Sequence, residues 1–537
     1  MKSKGMDLAM KICMYEGYLR NQKQLCDALC ISPCASRRET ELAVLEEGWK
    51  RWGYELGNHL YGPFAFVLLD EQNQELFCAR DPVGGVTFYY HLTPAGKLLY
   101  GADLSMIVND PEYRKEIDPD ALQLYLMFGY PVGEKTLYRG IRKLLPGRYL
   151  LYKDGAVRIE KYYRFPARTE QSLTEEEWAE KIDQQLQDIL AEDRECLKGA
   201  AFRSFLSGGV DSSFLLASAD VKEACGISYA EEAFSEADAA AETASFLDVP
   251  FHEIRITSED FMEAVSRLAA STELPLADAS SAAFSLGCRS AAMKGNIWLS
   301  GEGADEFFAG YHVYKRAEEL GQEDGFRYYG CSGIMEQKTA MQLLGQEQAF
   351  PCDRLVKRIC EMTAGCDPLT RMLHVDTGLW LEGDILFSIY RNARAGGLTL
   401  LAPFADPRMM ELAFKIPASL KRKDGCGKYI LRKAAGKRLP HEIAFRPKVG
   451  FSVPVRIWMQ EEQHRGCIEQ ALFGNVSKAF FDQELLRSFW ASFLMGRTGS
   501  WQILYAVFVF VIWYETCFSE PKAERQIPHR ELQTDPS

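Results

Sequence analysis

The run Ser207-Gly208-Gly209-Val210-Asp211-Ser212-Ser213 combines the residue types that grip a polyphosphate. Glycines let backbone amides approach a phosphate closely, and serine hydroxyls with amides at a helix start complement its negative charge. Asp211 would repel phosphate unless a cation stood between them, so it predicts Mg²⁺. A second turn, Ser300-Gly301-Glu302-Gly303-Ala304-Asp305-Glu306, carries the complementary chemistry. Asp305 can complete a metal site with Asp211, and Glu302, flanked by glycines, can orient or deprotonate an incoming amine. Taken singly, each turn reads as well as a glycine turn with a serine or acidic helix cap. A third stretch, Lys428 to Arg432 followed by Arg446-Pro447-Lys448-Val449-Gly450-Phe451, offers fixed cations for the charge on a pentavalent phosphorus and its leaving pyrophosphate. Isolated lysines are usually solvated, so composition alone does not select these.

The elements around the turns give them a common edge. Ala201–Leu206 reads as a buried strand that enters the first turn, and an alanine and leucine helix follows it. Further strands are predicted near Gly226–Tyr229, His252–Ile256 and Asn296–Ser300, the last entering the second turn, with helical segments between them. Strands alternating with helices imply a doubly wound parallel sheet. Its carboxyl edge is where such proteins bind ligands. Beyond about residue 310 the pattern reads as helical throughout.

Upstream the texture differs. Phe64–Asp70, Glu75–Arg80, and short runs at 87–90, 97–100 and 148–152 read as antiparallel strands, with one helix over Glu39–Trp52. Residues 165–172 read as a linker. Behind it Thr174 and Glu177 form a capping box, and Trp178, Ile182, Leu186 and Ile189 repeat at helical spacing. The expected organisation is therefore two domains, 1–165 and 172–515, with a fraying tail over 516–537.

A chain of 537 residues is too long for one compact core. Its apolar content of 47% and charged content of 26% are ordinary for a globular protein. A net charge of −13 argues against nucleic acid as a general partner. The apolar stretch Trp501–Tyr514 falls short of the roughly 20 residues needed to span a bilayer, so a buried helix and no membrane are expected. Fifteen scattered cysteines, without a CxxC framework or a signal peptide, fit free thiols in a reducing cytoplasm.

In sequence, SGGVDSS, the segment Glu273-Leu274-Pro275-Leu276-Ala277-Asp278-Ala279-Ser280, SGEGADE, Pro403-Phe404 before Asp406, and RPKVGF resemble the asparagine synthetase family, from about residue 15 to 515. SGGxDSS alone marks the wider PP-loop ATP pyrophosphatase group. The resemblance implies an α/β fold in two parts: a partial Ntn-hydrolase-type, class II glutamine amidotransferase sheet domain, then a PP-loop domain with a helical C-terminal part. It further implies that ATP and Mg²⁺ activate a carboxylate, the side chain of aspartate, as an acyl-adenylate, and that ammonia displaces AMP. Carried over by motif, the ATP site comprises Leu206, Ser207, Gly208, Gly209, Asp211, Ser212, Ser213, Ser300 and Gly301. Asp211 and Asp305 hold metal, Glu302 assists the attack and Lys448 stabilises the transition state. Asp278, Lys428 and Arg446 are the candidates for substrate contact.

The N-terminal part resembles the family's glutaminase domain at Glu41, Gly62–Asp70, Arg80-Asp81 and Phe88–Tyr90. Active members begin Met-Cys-Gly, and the freed cysteine is the nucleophile. This chain begins Met1-Lys2-Ser3-Lys4, and the opening strands expected before Tyr15 are missing from the pattern. The family's Asn-Gly-Glu, which holds glutamine, reads Glu16-Gly17-Tyr18, and a later aspartate is matched by Glu39. Loss of glutamine hydrolysis is therefore expected. In the synthetase half, Ser388, Tyr390, Thr399 and Leu401 replace charged family residues expected around the nucleotide or acyl site. Three readings stay open. One is an asparagine synthetase using free ammonia or a partner glutaminase, with a homodimer as a possible assembly. Another is a secondary-metabolite ligase, of lasso-peptide cyclase or β-lactam synthetase type, using a peptide or other amine. The third is a non-catalytic ATP-binding scaffold. Glu302 stands where ring-closing relatives carry tyrosine.

Overall fold

The computed structural model describes residues 10–166, 169–170, 172–270, 274–318, 328–447 and 450–518. Lys448, Glu273, part of the linker and residues 519–537 of the expected tail lie outside them.

The first half is built on antiparallel pairing. Five strands lie in the order Met10–Gly17, Phe64–Asp70, Glu75–Arg80, Arg148–Lys153 and Ala156–Lys161. The hairpin at 71–74 closes because the Asp70 carboxylate accepts the amides of Gln72 and Asn73, both at 3.0 Å. Contrary to the sequence reading, a strand does occupy the segment up to Gly17, in register with Phe64–Asp70. A second small sheet pairs Tyr89–Leu92 with Leu98–Gly101 and with Arg142–Lys143. The expected helix runs Arg37–Trp52, two residues longer, because Ser36 and Glu39 form a capping box.

The second half carries a five-stranded, wholly parallel sheet: Phe251–Ile256, Val221–Tyr229, Phe202–Phe205, Ile297–Leu299 and Thr399–Leu401, in that order across the sheet. By chain order this is third, second, first, fourth, fifth. The direction of winding therefore reverses between the strands that precede the two glycine turns, which is where open α/β sheets form a ligand crevice. The helix Glu175–Cys196 begins at the predicted Thr174 and Glu177 box and buries Trp178, Ile182, Leu186 and Ile189. Helices do not fill everything beyond residue 310. The edge strand Thr399–Leu401 and the two-residue strands Arg422–Lys423 and Cys426–Gly427 lie there. Thr377–Leu386 forms a π-helix.

The largest apolar cluster takes residues from both sides of the linker, among them Leu122, Tyr125 and Tyr138 with Trp178, Phe214 and Trp513. The helix Trp501–Cys517 supplies much of it. The Tyr125 hydroxyl donates to the Ala506 carbonyl at 3.0 Å, and the rings of Tyr138 and Trp513 meet edge to face at 5.5 Å. By length and composition the segment Thr498–Cys517 could cross a membrane, but 67% of its most apolar 18-residue stretch is buried inside the molecule. All fifteen cysteines are free.

Two buried ionic clusters join the halves. Arg20 Nε lies 2.7 Å from Asp193 Oδ1, and its Nη1 pairs with Asp406. Glu382, on the π-helix, receives Arg80 at 2.9 Å and Lys143 at 3.0 Å, with all three side chains at most 3% exposed.

Candidate active site

The strand Phe202–Phe205 ends in Leu206 and Ser207, and the helix Val210–Ser218 starts at Gly209. The intervening loop is held by its own serines. Ser212 Oγ accepts the Ser207 amide at 3.2 Å and donates to the Gly209 carbonyl at 3.2 Å. Gly208 has φ +76°, and a Cβ there would fall 2.7 Å from the Ala239 carbonyl carbon. Its lack of a side chain therefore serves packing against the helix Ala237–Phe246, a role that the phosphate reading did not include. Gly209 faces more open space.

The neighbouring strand Ile297–Leu299 ends at Ser300, and Ala304–Phe308 forms a short helix after the turn. A Cβ on Gly301 would stand 3.1 Å from both Asp211 Cβ and the Ser212 amide. The two turns are therefore in direct contact. Ser300, buried, has its hydroxyl 3.5 Å from Glu302 Oε1.

Between the turns lies a cavity of about 170 Å³. Leu206, Ser207, Gly209, Asp211 and Ser212 line it from one side, and Ser300, Gly301, Glu302 and Asp305 from the other. Phe205, Ile227, Phe234, Phe284 and Phe451 add an apolar wall that the sequence reading did not identify. Ser213 does not line this cavity and is fully buried.

Lys428 enters from a distant part of the chain. Its ammonium pairs with Asp211 Oδ2 and lies 2.7 Å from Asp305 Oδ1. Burial alone would lower its pKa, but the two carboxylates outweigh burial and hold it above the ordinary lysine value. One cation thus touches both aspartates, so the pair stands close enough to share a divalent ion. Two carboxylates with phosphate oxygens and water suit Mg²⁺, which seldom has an all-protein cage. Among the described residues no cluster of three or more His, Cys, Asp or Glu offers such a cage. The residues present fit the ion.

Of the other candidates for substrate contact, Arg446 shares this cavity and Asp278 does not. Arg446 lines the cavity, but its guanidinium donates to the carbonyls of Gly208 at 3.1 Å and Ala239 at 2.9 Å and pairs with Glu242 at 2.6 Å. It braces the loop at Gly208 against the helix Ala237–Phe246. Arg432 donates to the carbonyls of Ala444 and Arg446, each at 2.9 Å, and so braces the segment that carries Arg446. Asp278 caps the helix Ala279–Ala292 by accepting the Ser280 amide at 3.0 Å, and lines a separate small cavity. Glu306, next to Asp305, is buried and accepts the Tyr311 hydroxyl at 2.6 Å.

The four replaced positions also need correction. None of Ser388, Tyr390, Thr399 and Leu401 lines the cavity around Glu302. Tyr390 and Thr399 instead line a cavity of about 220 Å³ between the halves, with Glu16, Gly17, Tyr18 and Arg37 opposite. There Tyr18 is 4% exposed, and its hydroxyl accepts from Arg20 Nη2 at 2.9 Å and lies 3.4 Å from Asp193 Oδ1. Glu39 caps its helix, and Glu41 accepts the Leu19 amide at 2.9 Å.

Comparison with known proteins gives the family. Residues 181–515 match the asparagine synthase family and residues 4–163 match the glutamine amidotransferase domain. Asparagine synthetase [glutamine-hydrolyzing] 1 of Bacillus subtilis is 25% identical over 560 residues, covering 96% of this chain and 87% of that protein. Asparagine synthetase [glutamine-hydrolyzing] 3 of the same organism is 25% identical over 466 residues, covering 81% and 74%. The chain belongs to the asparagine synthase family and is an ATP-dependent ligase that forms carbon–nitrogen bonds.

Proposed function

We propose that the chain adenylates the side-chain carboxylate of aspartate and joins it to ammonia, and that its own residues 1–165 no longer hydrolyse glutamine. The observation that carries the first part is the sharing of one buried ammonium by Asp211 and Asp305. It brings two turns from neighbouring strands onto a single cation position at the sheet's switch point.

In this reading the amides and hydroxyls of Ser207 to Ser212 hold the leaving pyrophosphate, and Asp211 with Asp305 would hold Mg²⁺, which neutralises phosphate charge when bound. The aromatic and aliphatic wall of Phe205, Ile227, Phe284 and Phe451 suits an adenine ring. Glu302, on the opposite lip, takes a proton from the incoming amine as nitrogen attacks the acyl carbon and AMP departs. Lys448, by its motif, neutralises the transition state. Glu302 at the place of the ring-closing relatives' tyrosine supports ammonia as the amine.

The second part rests on Tyr18. It stands where the family holds glutamine with glutamate, and its hydroxyl is engaged by Arg20 beside Asp193. A phenol so placed supplies no carboxylate for a substrate ammonium.

The test is the source of nitrogen. With aspartate and Mg-ATP, labelled ammonium should yield labelled asparagine, while amide-labelled glutamine should yield none. Glutamine-derived amide at a rate comparable to that from ammonium overturns the loss of glutaminase activity.

A further inference from the structure

Lys428 is placed with unusual care for a lysine. It has φ +57°, a left-handed conformation that side chains rarely adopt, at the start of the helix Tyr429–Ala435. Its amide donates to the Phe308 carbonyl at 3.2 Å, which ties it to the end of the helix carrying Asp305. Its side chain is 2% exposed. Gly310 makes the room, since a Cβ there would fall 2.1 Å from Lys428 Cε.

An ammonium bridging Asp211 and Asp305 stands at the position that a divalent cation shared by both would take. Like charges a few ångströms apart repel strongly in a site screened from water. The neighbouring guanidinium groups of Arg432 and Arg446 are fixed on backbone carbonyls, so they cannot take over Lys428's position. A buried ammonium drawn off the aspartates needs another anion inside the cavity to keep its charge. A triphosphate is such an anion.

We propose that Lys428 occupies the place of the divalent cation until nucleotide arrives, so that the metal enters with the phosphates and not before them. This rests on the reading that the cavity takes Mg-ATP. On binding, the Lys428 ammonium moves from Asp211 and Asp305 to the phosphate oxygens, and the metal takes the vacated carboxylates. Lys428 is in this sense a positioning residue that couples metal entry to nucleotide.

The experiment is Mn²⁺ titration of the nucleotide-free full chain, read by the electron paramagnetic resonance of free Mn²⁺. The wild type should bind weakly, with Kd at or above about 1 mM. Lys428→Met should bind about tenfold tighter or more, because the repelling charge is gone, while Lys428→Arg should stay with the wild type. Equal affinity in Lys428→Met and the wild type overturns the proposal. So does micromolar binding by the wild type that Asp211→Ala abolishes, a result that needs no Lys428 variant to fold. Binding of a non-hydrolysable ATP analogue to the wild type is measured in parallel. Failure of the analogue to bind overturns the nucleotide reading and the proposal with it; analogue binding with unchanged Mn²⁺ affinities overturns the proposal alone.

Discussion

Asp211 and Glu302 line the same cavity; in the proposed reading they act at different moments, and substitution should separate them. Asp211→Ala removes a metal ligand needed before any bond breaks, so ATP–pyrophosphate exchange should fall by about 100-fold or more. Glu302→Gln keeps the shape and removes the base. Exchange should stay within a few-fold, while amide formation falls on the order of 100-fold; equal loss in both assays would contradict the role given to Glu302. Both residues were legible in the sequence because glycine turns after strands announce themselves. Lys428 was read as a candidate for substrate contact and not as the partner of both aspartates, since nothing in a lone lysine says which carboxylates it will meet. Arg446 was read toward substrate, and its contacts instead fix the loop, because a guanidinium suits a carbonyl as well as a phosphate.

At the scale of elements, the phosphate loop depends on the helix beneath it. Gly208→Ala puts a methyl group 2.7 Å from the Ala239 backbone at φ +76°. It should lower stability by about 2 kcal/mol or more and abolish nucleotide binding, measured by urea unfolding and ligand titration. The short helix Ala418–Lys421 poses a different test. Lys421 Nζ is buried over the Phe414 ring with no hydrogen-bond partner among the described residues, and burial pushes its pKa down to about 7. Between that value and the ordinary lysine value near 10.4 the unfolded chain binds the extra proton, so stability rises with pH across this window. Lys421→Met should be more stable than the wild type at neutral pH and should lose that part of the slope. A variant with the same slope as the wild type would remove Lys421 as its cause. Most elements were readable from alternation, helical spacing and caps. The strand Thr399–Leu401 was not, because a run of three residues carries no period, and the π-helix Thr377–Leu386 leaves no sequence signature that the reading could use.

For the whole molecule, the linker near residue 165 divides the sequence into two expected domains, and the principal core takes residues from both sides of it. That continuity comes from long-range packing, of Tyr125 and Tyr138 on the helix Trp501–Cys517, which no local pattern encodes. The ionic clusters reinforce it. Glu382→Ala leaves Arg80 and Lys143 buried without their carboxylate and should cost about 3–5 kcal/mol, seen as a lower unfolding temperature of the entire chain in a single transition. Two separate transitions with only the first displaced would contradict this coupling. The most direct test of the central claim is ATP–pyrophosphate exchange by the purified chain with candidate carboxylates. Exchange that requires aspartate and Mg²⁺, with asparagine and AMP appearing when ammonium is added, is the predicted result. ATP binding without exchange for aspartate, under conditions where another carboxylate supports it, would contradict the account.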